Sequence, residues 1–103
     1  MIKIPDNIQE SGQKWLKRLF LEYTFSKSEL ASVFQAASSL DRIQQAADAI
    51  VEHGLLITDK TGNLKANPAA LIERDNKTLF ARLCRELAII GADDSRLPRK
   101  GKE

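Results

Sequence analysis

One cysteine and one histidine among 103 residues exclude several kinds of chemistry at once. A single thiol, Cys84, can form no disulfide within the chain and cannot build a cysteine-based metal cluster. It stands among Phe80, Leu83 and Leu87, which predicts a buried, inert thiol and a protein made in a reducing cytoplasm. His53 lies beside Gly54 at an expected helix end, where a partly exposed imidazole interacts well with the helix dipole. No HExxH, DxDxDG or GxxxxGK[ST] pattern occurs, and no serine stands in a nucleophile motif. Asp93-Asp94 reads as a solvated acidic turn. The expectation is therefore a protein that is not an enzyme, with no cofactor and no metal site. No apolar run approaches the roughly 18 residues of a membrane span. Residues 1–5 are too short for a signal peptide and are followed by Asp6 and Glu10. A reducing cytoplasm, with no membrane partner, is the expected setting.

Aromatic residues are few and unevenly placed. Five of them, Trp15, Phe20, Tyr23, Phe25 and Phe34, precede residue 35, and only Phe80 follows. A chain of this length forms one domain and buries roughly 65% of its unfolded surface. The N-terminal third must therefore pack on the rest of its own chain or on a neighbouring subunit. The net charge of +2 is unevenly spread, with seven basic residues against four acidic ones in residues 76–103.

The pattern predicts a mainly α fold: an N-terminal helix, a long central helix, a β-hairpin, a long C-terminal helix and a flexible basic tail. Trp15, Leu16, Leu19, Phe20 and Tyr23 recur at helical spacing within residues 8–25, with the start left open by Ser11 and Gly12. Ser26 and Glu29 fit a capping box. From Leu30 to Val51 the apolar period continues through Ser38-Ser39 without a phase shift, so one helix of about 40 Å is expected, ending at Gly54. That length exceeds the needs of a small domain and points to an interface. Two short apolar segments around Asp59-Lys60-Thr61-Gly62-Asn63 predict a hairpin at about residues 55–66, with Gly62 at positive φ. Asn67-Pro68 opens the last helix as N-cap and first residue. Ile72, Leu79, Phe80, Leu83, Cys84, Leu87 and Ile90 form its apolar face, Glu73 and Lys77 pair along it, and Gly91 closes it. Residues 1–91 are thus read as one helical domain, residues 92–103 as the tail, and residues 41–90 as the central helix–hairpin–helix unit.

Two clusters are candidates for touching nucleic acid. One is Lys14, Lys17 and Arg18 on the first helix, opposite its apolar face. The other is Arg96, Arg99, Lys100 and Lys102 in the tail. A helix-turn-helix over residues 28–53 is rejected. Its second helix carries Asp41, Asp48 and Glu52 against Arg42 alone and would repel a phosphate groove.

The ordered series Leu40-Asp41-Arg42, Ala46-Ala47, Ala49-Ile50 and His53-Gly54-Leu55 continues with Gly62, Leu64-Lys65-Ala66-Asn67-Pro68-Ala69 and Ile72-Glu73-Arg74-Asp75. It ends with Phe80, Arg82-Leu83 and Arg85-Glu86-Leu87. In order and spacing this series resembles the small subunit of phage terminases, in the short form of tailed phages and prophages. The resemblance covers residues 30–87; residues 91–103 depart from the usual family ending. It implies a non-catalytic DNA-recognition subunit, a ring-shaped homo-oligomer that binds double-stranded viral DNA. It also implies delivery of that DNA to a large subunit holding ATPase and nuclease. The matched charged residues read as fold determinants, with Arg42 and Arg74 expected to pair with Asp41, Glu73 or Asp75 across the two helices. The rival reading, carried by the acidic central helix, is a protein–protein adaptor without direct DNA binding.

Overall fold

The computed structural model describes residues 2–89. Within them lie three helices, α1 (Glu10–Glu22), α2 (Lys27–His53) and α3 (Pro68–Glu86). Strands β1 (Leu56–Thr58) and β2 (Leu64–Ala66) pair antiparallel between α2 and α3, with Ile57 opposite Lys65. The mainly α, helix–hairpin–helix layout read from the pattern is the one observed. The tail and its four basic residues lie outside the described residues, as does Gly91.

Local chemistry accounts for most boundaries. The Ser26 hydroxyl accepts the Glu29 N–H and the Glu29 carboxylate accepts the Ser26 N–H, a complete capping box. Helix α2 then runs unbroken past Ser38-Ser39, where the buried Ser39 hydroxyl donates back to the Gln35 carbonyl at 3.1 Å. It stops at Gly54, with φ of 89°. The hairpin turn is held by Asp59. Its Oδ1 accepts the Thr61 hydroxyl (2.7 Å) and the N–H groups of Thr61 (2.9 Å) and Asn63 (3.0 Å), while Gly62 takes a φ of 87°. These bonds, the Thr61 hydroxyl first and the Asn63 N–H next, favour the ionised carboxylate and lower the Asp59 pKa. Asn67 closes the unit: its Oδ1 caps Ala69 N–H, its Nδ2 donates to Gly54 O, and its N–H donates to Leu55 O. The start of α3 is thereby pinned to the end of α2.

The C-terminus of α3 differs from expectation. The helix stops at Glu86 rather than running to Gly91. Ala88 adopts a φ of 57°, Ala88 N–H donates to Arg85 O, and Ile89 N–H donates to Cys84 O. This is a Schellman motif with alanine where glycine usually stands, accompanied by burial of Ile89 and Cys84 in the core. Burial of Ile89, which is 7% exposed, favours turning the chain inward there over another helical turn.

The core lies toward one end of the molecule. Ile8, Leu16 and Leu19 meet Val33 and Ala37 of α2 and Cys84, Leu87 and Ile89 from the end of α3. Since α3 begins at the C-terminus of α2 and ends beside its N-terminal half, the two helices run antiparallel. All six aromatics border this cluster. The N-terminal third is therefore satisfied by its own chain, without a neighbouring subunit.

Candidate nucleic-acid interface

Helix α1 carries the candidate basic residues, and two features on α2 fix its position. The N-cap residue Gln9 supplies no side-chain cap of its own. Instead the carboxylate of Asp41, 3% exposed, accepts Gln9 N–H on Oδ2 at 2.6 Å and Gly12 N–H on Oδ1 at 2.8 Å. One side chain of α2 thus makes both bonds that a capping box divides between two residues. Its negative charge also faces the positive end of the α1 dipole. Gly12 permits the approach. A Cβ there would stand 2.6 Å from Ala37 O and 2.6 Å from Ile8 Cγ2.

The Asp41 contacts correct the expected cross-helix ion pairs. Arg42 Nη1 donates to Gln45, and Arg74 pairs with its neighbour Asp75 at 3.4 Å on the same helix. A buried carboxylate satisfied by backbone N–H groups needs no guanidinium. The expected Glu73–Lys77 pair is present at 3.7 Å.

With Leu16 and Leu19 buried and Trp15 set edge-on against Phe80 (ring centroids 5.2 Å apart), Lys14, Lys17 and Arg18 are left exposed on α1. The three stand at positions i, i+3 and i+4, so they share one face. Lys14 lies 4.0 Å from Glu10, both well exposed, a contact of little energetic weight. Lys17 and Arg18 make no ion pair among the described residues. The same face continues to Leu21, which is 77% exposed and which the apolar periodicity did not single out. The far end of α1 is steadied by Phe25, whose ring lies 6.1 Å from Phe20 and 6.2 Å from Tyr23. The arrangement is a short cationic stripe on a helix whose position is set by buried contacts.

Elsewhere the chemistry is sparse. Among the described residues no three His, Cys, Asp or Glu side chains are grouped to hold a metal ion. His53 is exposed beside Glu52, at 3.7 Å. Cys84 is 1% exposed, and burial pushes its thiol up from its ordinary 9.0 to about 11. No described helix is long and apolar enough to cross a membrane.

A family profile described as phage terminase, small subunit, matches residues 14–103. The chain belongs to that family. No curated protein and no solved structure gives a match. Membership gives this small subunit a role in phage DNA packaging. The match reaches well beyond the residues 30–87 that carried the resemblance, taking in most of α1 and the tail. It leaves out residues 1–13, which hold Gln9 and Gly12, so the α1 anchor is only half inside it.

Proposed function

We propose that this small subunit is the non-catalytic DNA-recognition component of the packaging machine in the host bacterial cytoplasm. It acts as a ring-shaped homo-oligomer that binds double-stranded viral DNA and hands it to the large ATPase and nuclease subunit. The observation that carries the DNA-binding part is the α1 stripe, in which Lys17 and Arg18 are exposed without a described acidic partner. Charges already paired would have to break those pairs to meet phosphate; unpaired ones need only shed counterions. In a ring, one such stripe per subunit is repeated around the assembly, so weak individual contacts sum.

The test is DNA binding by the full chain across a salt series, comparing the native protein with the Lys14→Ala, Lys17→Ala, Arg18→Ala variant. Each lost phosphate contact lowers the slope of log affinity against log salt by about 0.9, so the triple variant is expected to lose about two to three units of slope. Its fold should be unaffected, since all three side chains are exposed. Unchanged binding would move the contact to Arg96, Arg99, Lys100 and Lys102, to be replaced together in the same assay. No DNA shift by the native protein even at low salt would favour the adaptor reading instead.

A further inference from the structure

The three helices share a core only at one end of the molecule; at the other, apolar surface is left uncovered. Between Val51 and Ile72 six large side chains are open to solvent: Val51 (86% exposed), Leu55 (63%), Leu56 (59%), Leu64 (68%), Leu71 (52%) and Ile72 (46%). They lie on the last turn of α2, the hairpin and the first turns of α3. Exposed apolar side chains scattered singly are ordinary, but concentration within one supersecondary unit marks an interaction surface.

The hairpin backbone has the same character. Asn67 N–H to Leu55 O (2.7 Å) and Asp59 N–H to Asn63 O (2.9 Å) mark 55:67 and 59:63 as hydrogen-bonded pairs. Antiparallel ladders alternate, so 57:65 is the third such pair, and 56:66 and 58:64 are the pairs between. The N–H and C=O groups of Leu56, Thr58, Leu64 and Ala66 therefore point outward, away from the hairpin. The side chains of these four residues also share one face of the sheet, and all four are exposed. The described sheet has two strands, so both of its edges are unpaired. An isolated two-stranded hairpin is only marginally stable in water.

We propose that the hairpin end is where copies of this chain join. The Leu56–Leu64 face of one copy is covered by a second copy, whose strand edge meets the free edge of the first. This rests on the homo-oligomer reading above and names the surface that serves it. Charge argues for a second copy over DNA. Residues 55–75 carry three basic groups (Lys60, Lys65, Arg74) and three acidic ones (Asp59, Glu73, Asp75), a balance that suits a like surface and gives a polyanion no net attraction. Geometry agrees, because each hairpin offers two different open edges. Pairing unlike edges is a heterologous contact, the kind that closes rings.

The experiment is the mass of the full chain in solution, by light scattering at micromolar concentration, for the native protein and two double variants. Leu56→Lys with Leu64→Lys places charge on the covered face. Leu56→Thr with Leu64→Thr removes apolar surface with residues that favour strands. Circular dichroism should show both variants folded, because the core lies at the opposite end of the molecule. The lysine variant is expected at the mass of one chain, 11.5 kDa, where the native protein is larger. The threonine variant is expected to need at least about tenfold more protein to assemble. Native-like masses for both variants would overturn this surface and leave the homo-oligomer reading standing. A native protein that stays at one-chain mass throughout would overturn both.

Discussion

Replacing Asp41 with alanine should loosen α1 from the rest of the fold. The carboxylate accepts Gln9 N–H and Gly12 N–H, two of the backbone donors at the start of α1, at 2.6 and 2.8 Å. Gly12 is buried, so its orphaned N–H costs about 1–3 kcal/mol. Gln9 is exposed, and water can replace much of its bond. Loss of the anion at the helix N-terminus adds about 0.5–2 kcal/mol. The sum is about 3 kcal/mol, which for a domain of this size lowers Tm by on the order of 15 °C. Asp41→Asn keeps one acceptor oxygen but sets an amide NH2 against the other backbone N–H, and it should fall about midway. The assay is thermal and urea unfolding at fixed protomer concentration, since self-association makes Tm concentration-dependent. Fluorescence of Trp15, the sole tryptophan, reports docking of α1 against Phe80. A loss under about 0.5 kcal/mol for Asp41→Ala, the level of an ordinary surface substitution, would refute the capping argument. So would equal losses for alanine and asparagine.

Gly12→Ala should destabilise by about 2 kcal/mol through overpacking, although alanine is worth about 1 kcal/mol more than glycine inside a helix. The new Cβ meets the Ala37 carbonyl oxygen, a backbone atom that cannot swing away; a rise in Tm would contradict this. Cys84 should resist thiol reagents in the native state near neutral pH and react fully once the chain is unfolded in urea. Because its folded pKa is raised to about 11 from 9.0, the neutral thiol is favoured by folding. The associated stability is complete below about pH 9 and is lost as pH rises through about 11. Unfolding curves at successive pH values, with Cys84→Ala as reference, should show that difference; identical pH dependence would remove it.

Much of the architecture was legible because it rests on local chemistry. Ser26 with Glu29, Asn67 with Pro68, and Gly62 in the hairpin turn each satisfy backbone groups within a few residues, so their spacing announces them. The end of α3 was not legible in this way. Ala88 turns the chain at a position where glycine is usual, because Ile89 gains a place in the core. Of the two candidate basic clusters, the α1 stripe is exposed as its periodicity implied, since charged positions on an amphipathic helix face away from the buried ones. The tail cluster lies outside the described residues.

Periodicity, capping and turn chemistry thus specified the elements and their order, and the ordered motif series pointed to the family. Helix packing, by contrast, assigned Asp41 and Gly12 their roles. In the sequence Asp41 is one acidic residue among several on α2, and Gly12 only blurs a helix start. Their partners lie 32 and 29 positions away for Asp41, and 25 away for Gly12 against Ala37. Contacts at that separation follow from how helices pack, which no local period encodes. Packing likewise left the hairpin end bare, because α1 lies against α2 near Ala37 and Asp41 and does not reach the hairpin.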